Sequence, residues 1–276
     1  FVPCPDNPIL TASGTSRVVQ STGHGDLVAA PDGSWRMVML GTRTTGGRAS
    51  FSPLGRESFI TGVDWVDGWP VVEPVVLPDT VRPPVFHDDF DGDDLGLEWI
   101  GVRRLPREVA MLDAGLVRIE GEGRTMDALV PTFIGRRVCC LDARISASIS
   151  DRTGVGGLSL RYDEDHHYDI EVNGAEVVAR ARLATITDER RMPLPPGPVV
   201  LFVEARKTDG EFIITSDLIA LGFVGDAGPS DVAVFDGRFL TAEPTGSFTG
   251  RVAGMYCVSG ELGFDWYHEE GSGDVG

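Results

Sequence analysis

Positive charge is scarce in this 276-residue chain, and lysine is nearly missing: Lys207 is the only one, and every other cationic residue is an arginine. Against 42 acidic residues, the 24 lysines and arginines leave a formal net charge of −18. Such a surface repels phosphate backbones and anionic bilayers, so neither nucleic acid nor a membrane is an expected partner. Neutral sugars are indifferent to it. Base composition, rather than mechanism, is the reading for the missing lysines.

Long apolar runs are also absent. No stretch approaches the roughly 18 residues of a membrane-crossing helix. The four cysteines, Cys4, Cys139, Cys140 and Cys257, show no CxxC spacing of the metal-binding kind. Buried free thiols in a reducing compartment are expected, and a cytoplasmic location with them. No signal peptide is visible, although the chain need not start at the protein's true N-terminus. Helical periodicity is almost wholly lacking.

What is present is enough for a core: 42% of residues are hydrophobic. The 35 glycines and 18 prolines, about a fifth of the chain, fit a fold rich in turns. The length exceeds the usual domain size of roughly 100–150 residues, so two domains are expected. Apolar residues recur with period 2. In 138–149, Cys139, Leu141, Ala143, Ile145, Ala147 and Ile149 alternate with polar residues, as on a half-buried strand. Leu158, Leu160 and Tyr162 continue the pattern, as do Tyr168, Ile170 and Val172. Asn173-Gly174 predicts a hairpin turn. Further strands are expected at 175–183, 199–206, 211–216, 252–258 and 263–268. Four prolines between Glu73 and Pro84 mark a linker that cannot join a sheet interior. So many short strands predict an all-β protein of sandwich or barrel type.

Certain segments carry a resemblance. Thr22-Gly23-His24-Gly25-Asp26-Leu27-Val28, Pro31-Asp32-Gly33-Ser34-Trp35, Leu54-Gly55-Arg56-Glu57-Ser58-Phe59 and Asp67-Gly68-Trp69-Pro70 resemble the late blades of the β-propeller in glycoside hydrolase family 43. Phe86-His87-Asp88-Asp89-Phe90-Asp91-Gly92-Asp93-Asp94-Leu95, with Phe264-Asp265-Trp266-Tyr267 near the end, resembles the concanavalin-A-like β-sandwich appended to many of its β-xylosidases. The resemblance implies the last part of a five-bladed β-propeller over 1–78 and a Pro-rich linker over 79–85. A concanavalin-A-like sandwich over 86–271 and a tail over 272–276 would follow.

The same resemblance supplies roles. His24, between two glycines that let the backbone bend tightly, corresponds to a family histidine near the propeller axis. That residue helps hold a metal ion or water, or lines the sugar pocket. Arg56 corresponds to an arginine reaching the subsite of the released sugar, where a guanidinium can donate two parallel hydrogen bonds; a surface arginine paired with Glu57 or Asp64 is the plainer reading. Glu57 is read as orienting its surroundings, Asp26 as capping a turn, and Trp35, Trp65 and Trp69 as blade packing. The acidic run offers hard oxygen ligands of the calcium kind, without the EF-hand pattern. Related sandwiches imply Ca2+ held by Asp89, the carbonyl of Gly115 and Asp265; a solvated acidic turn is the alternative. His166-His167 is read as part of a polar hairpin loop.

The resemblance implies an inverting exo-glycosidase acting on xylo- or arabino-oligosaccharides, a β-xylosidase or α-L-arabinofuranosidase, with two carboxyl groups flanking the bond to be cut. The family's three catalytic carboxylates lie upstream of these motifs, and none maps onto this chain. They are expected on a missing N-terminal propeller segment or on a partner chain, and the chain alone is expected to be inactive. Homo-oligomerisation is left open. Segment 221–240 is read as a lid. The rival from another class is a non-catalytic carbohydrate-binding or structural sandwich.

Overall fold

The computed structural model describes residues 2–46, 49–77, 85–194, 196–208 and 214–272, and these are almost entirely strand and turn. The N-terminal part builds one four-stranded antiparallel sheet in simple order: β1 (Val19–Ala29), β2 (Trp35–Arg43), β3 (Glu57–Val66) and β4 (Trp69–Val72). This is the meander of a single propeller blade. Asp67-Gly68 closes β3 onto β4 with both residues at positive φ, 48° and 82°, the twist that suits a two-residue hairpin. One face is covered: Met37, Met39 and Val63 are buried against Ile9, Leu10, Phe59, Val72 and Val75. The opposite face leaves Val28, Val38, Ile60 and Val71 exposed.

The rest is a sandwich of two antiparallel sheets. One runs β17 (Gly228–Asp236), β16 (Leu218–Gly225), β15 (Val199–Arg206), β10 (Arg144–Arg152), β19 (Glu261–Glu270), β8 (Leu116–Glu120) and β7 (Ala110–Asp113), with β5 (Val85–Asp88) also on β19. The other runs β14 (Ile186–Pro193), β13 (Glu176–Leu183), β12 (His166–Asn173), β11 (Val155–Arg161), β18 (Val252–Ser259), β9 (Phe133–Arg137) and β6 (Ile100–Gly101). Alternation sets the core. Ile145, Ala147 and Ile149 of β10 meet Leu158 and Leu160 of β11 and Tyr168, Ile170 and Val172 of β12 between the sheets, all buried. Fully burying each large aliphatic side chain is worth about 1.5–3 kcal/mol.

Several expectations are corrected. The strand predicted over 138–149 starts only at Arg144, because 141–142 form a turn, although Cys140, Leu141 and Ala143 stay buried. Asn173 pairs with Glu176, so the turn is Gly174-Ala175, with Gly174 at φ +62°. Segment 221–240 is no lid: it is sheet, β16 and β17, followed by a short 3-10 turn at Gly237–Leu240. Of the strand expected at 211–216, residues 211–213 lie outside the described residues, and 214–216 are not strand. Position 78 of the propeller part, 79–84 of the linker and 273–276 of the tail also lie outside them, while residue 85, expected in the linker, already belongs to β5. The cysteines are free, but Cys139 is exposed, not buried.

The blade is joined to the sandwich by a tight seam. Arg56 N donates to the Phe248 carbonyl at 3.0 Å, and Arg251 N to the Pro53 carbonyl at 3.1 Å. Ser52 N donates to Glu243 Oε2 at 2.9 Å. Two glycines permit this closeness: a Cβ on Gly55 would lie 2.1 Å from the Thr249 carbonyl oxygen, and one on Gly250 2.2 Å from that of Leu54.

Candidate functional site

At this seam a groove of about 350 Å³ is lined by Arg56, Glu57, Ser58, Arg137, Cys139 and Phe248, among others. Arg56 comes from the turn entering β3. Its exposed guanidinium lies 4.0 Å from the centre of the Phe248 ring, a cation–π contact across the two domains. It pairs with neither Glu57 nor Asp64 among the described residues. Glu57 instead accepts a forked pair from Arg43, Nε to Oε2 at 2.9 Å and Nη2 to Oε1 at 2.8 Å. Arg43 Nη2 also donates to the Cys139 carbonyl at 2.8 Å. Burial works against the Arg43 charge, but the Glu57 carboxylate outweighs it and holds the guanidinium above its ordinary value. Glu57 therefore does orient its surroundings, by fixing Arg43. Although Cys139 is exposed at the surface, the protein packed around its thiol, and then Glu269, push it up from its ordinary value, away from the reactive thiolate.

His24 sits on a β-bulge. The β1–β2 register jumps from Gly23 opposite Leu40 to Asp26 opposite Val38, leaving His24 and Gly25 against one residue. His24 takes a left-handed φ of 54° there, and bulges of this kind re-aim a side chain. Its ring is exposed and makes no hydrogen bond or ion pair among the described residues. Leu40 is also paired with Ser58, so the bulge lies two strand spacings, roughly 10 Å, from the start of β3. His24 and Arg56 thus share one region of the blade, but His24 is not part of the groove wall. Asp26 continues β1 beyond the bulge and caps no turn. Trp35 and Trp65 pack edge to face, 5.5 Å apart, at the far end of β2 and β3, away from Arg56.

The strands that flank the residues expected to hold calcium come together at one junction. β5 pairs residues 85–88 with 267–270 of β19, while β8 pairs 117–120 with 261–264. The end of β5 and the start of β8 therefore converge beside Asp265, bringing Asp89 and Gly115 toward it. Asp89 and Asp265 are exposed. Asp88 is committed elsewhere, accepting from Trp99 Nε1 at 2.8 Å and Phe90 N at 2.9 Å. Asp91 also approaches Gly115: its Oδ1 would be 3.0 Å from a Cβ there. No cluster of three or more His, Cys, Asp or Glu side chains arranged for a metal occurs among the described residues. Two carboxylates, a carbonyl and water nonetheless suit the oxygen-rich shell of calcium.

His166 and His167 belong to β12, not to a loop. His167 is only 3% exposed, and its Nδ1 is 2.8 Å from Asp169 Oδ2. Sequence reasoning also missed Phe248 and Arg43. Nothing near Phe248 in sequence marks it, since its partner lies on the other domain. Arg43 could have been found, because Gly41 lies opposite Glu57 in the β2–β3 ladder.

Known proteins match along most of this length. Residues 1–70 match the model of glycosyl hydrolases family 43. Residues 87–268 match that of the beta xylosidase C-terminal concanavalin A-like domain. A non-reducing end α-L-arabinofuranosidase of Bacteroides ovatus is 32% identical, over 97% of this chain and 54% of the relative. A xylosidase/arabinosidase of Butyrivibrio fibrisolvens is 49% identical over 78 residues, 28% of this chain and 14% of that protein. Among solved structures, the Bacteroides ovatus xyloglucan PUL protein GH43B superposes with a TM-score of 0.80 at 28% identity, covering 98% of this chain and 57% of that one. A Bacillus licheniformis family 43 protein reaches 0.82 at 21% identity, covering 98% of this chain and 57% of that one, a likeness of fold. The chain thus spans about half the length of the arabinofuranosidase it matches.

Proposed function

The chain belongs to glycoside hydrolase family 43, and from that premise we propose that it is the C-terminal part of an inverting exo-glycosidase acting on xylo- or arabino-oligosaccharides. The observation that carries this reading is the seam: Arg56 on the blade, braced by Phe248 from the sandwich, inside a chain matched by family 43 models on both sides of it. In this reading Arg56 donates hydrogen bonds to hydroxyls of the sugar being released. His24 faces the propeller axis and holds an ion, a water or the sugar. Phe248 narrows the pocket so that only a chain end enters. The acid and the base come from propeller residues outside this chain. The exposed apolar face of the blade, with Val28, Val38, Ile60 and Val71, supports this, since a neighbouring blade would cover it. Asp89, Asp265 and the Gly115 carbonyl hold a structural calcium ion.

The test is hydrolysis of aryl β-xyloside and aryl α-arabinofuranoside by the complete protein, with the first-formed sugar anomer read by NMR. Inversion on either substrate is the expected result. Retention, or no turnover of either, defeats the reading.

A further inference from the structure

The sandwich has a second groove, larger than the one at the seam. It lies on the outer face of the sheet containing β12, with a volume of about 550 Å³, within the roughly 300–1,000 Å³ usual for ligand sites. Its floor follows from strand alternation. Tyr168, Ile170 and Val172 point into the core, so His167, Asp169 and Glu171 point the other way. An outward row of this kind is ordinarily solvated. Here all three are buried, each 3% exposed, because the segment around Met126 and Asp127 folds over one side of the face and Arg180 and Arg182 of β13 rise on the other.

Several buried polar atoms around this floor lack hydrogen-bond partners: Asp169 Oδ1 and His167 Nε2 on β12, and Ser159 Oγ, Arg161 Nε and Arg182 Nε on the strands paired with it. His167 Nε2 lies 3.4 Å from Asp127 Oδ1. Glu171 and the second Asp169 oxygen are engaged. Glu171 accepts from Arg180 Nη2 at 2.9 Å and from the Tyr256 hydroxyl at 2.9 Å, and Asp169 Oδ2 holds His167 Nδ1. A buried polar atom left unmade costs about 1–3 kcal/mol. Asp169 Oδ1 and His167 Nε2, on residues that line the groove, mark where a ligand completes the set.

The lining chooses the ligand's chemistry. Asp127, Asp169, Glu171, Asp188 and Glu189 outnumber the arginines, so an anion is repelled. No metal cluster of three side chains is present among the described residues. An apolar ligand would leave both orphaned atoms unsatisfied. A hydroxyl can donate to the carboxylate and accept from a ring N–H, while the partly exposed Val155 and Val258 offer apolar contact to the carbon face of a ring. We propose that this groove is an ancillary binding site for a neutral oligosaccharide, separate from the Arg56 seam and without a role in bond cleavage.

Calorimetric titration of the 276-residue chain with xylohexaose, arabinohexaose and cellohexaose tests this without any need for hydrolysis. At least one is expected to bind, and Asp169→Ala should weaken that binding at least tenfold, the loss of one hydrogen bond to a charged group. Thr187→Trp, on the exposed edge of the groove, should block it sterically without disturbing the core, so the result survives if Asp169→Ala fails to fold. Arg56→Ala should leave the affinity unchanged, which separates this site from the seam. No binding of any of the three overturns the proposal. So does binding that Thr187→Trp leaves intact, or that Arg56→Ala abolishes.

Discussion

A single arginine carries most of the functional reading, and its environment makes a sharp expectation. Arg56 is exposed and, among the described residues, held only by a ring and its own backbone, so truncating it removes little packing. In the complete enzyme, Arg56→Ala should lower kcat/KM by roughly ten- to a hundredfold, the worth of a charge-assisted hydrogen bond, while the melting temperature barely moves. Steady-state kinetics beside a thermal melt checks this; activity within twofold of the parent, with a lowered melt, would make Arg56 structural. His167 offers a different handle. Burial alone would depress its pKa, but the charge and hydrogen bond of Asp169, with Asp127 behind them, raise it above 6.5 despite the opposing Arg161. The folded state then holds this proton more tightly than the unfolded chain does. Its stabilisation is complete below about 6.5 and is lost as pH rises through the folded value. Melting temperatures from mildly acidic to mildly alkaline buffer should fall across that window, and His167→Gln should flatten the fall. Identical slopes in both proteins would rule the coupling out.

Elements show what the sequence could disclose and what it could not. Period-2 runs located β11, β12, β13, β15, β18 and β19, because alternate burial imprints alternate polarity on a strand. The same rule failed at 138–143, where buried Cys140, Leu141 and Ala143 belong to a turn packed on the core. It also misled at His166-His167, since polar residues facing outward look solvated until a distant loop covers them. Arg56 and His24 were legible only through a family pattern; Phe248 was not, because the seam joins positions almost 200 residues apart. The segment carrying Phe248 is anchored by a buried pair. Arg251 Nη2 donates to Asp217 Oδ1 at 2.8 Å and to the Gly237 carbonyl at 2.7 Å, and Nε to the Leu240 carbonyl at 2.9 Å. Arg251→Ala strands a buried carboxylate and should cost about 3–5 kcal/mol in denaturant unfolding. Arg251→Met with Asp217→Leu should recover much of that; a single-variant cost near zero would contradict the anchor. At the β5–β8–β19 junction, chelator should lower the melting temperature and calcium restore it, by about 2.7 kcal/mol at a hundredfold excess over Kd. Asp265→Asn should abolish that response, and a melt indifferent to chelator leaves a solvated acidic turn.

At the scale of the whole molecule, the purified chain is expected to show no turnover of aryl xyloside or arabinoside, because general acid–base catalysis contributes about 10²–10⁴-fold and its carboxylates lie elsewhere in the proposed enzyme. Measurable hydrolysis by a homogeneous preparation would refute this. The place of β19 has a consequence for biosynthesis. This strand is internal to its sheet, bonded to β10 on one side and to β8 and β5 on the other. A ribosome adds about 5–20 residues per second, so β5, β8 and β10 wait many seconds for the partner that joins them. Until residue 270 clears the exit tunnel, three strand edges stand open, each a template for a neighbouring nascent chain. The sandwich must therefore finish folding after translation of that strand, and premature termination anywhere before it leaves a product for chaperones and proteases.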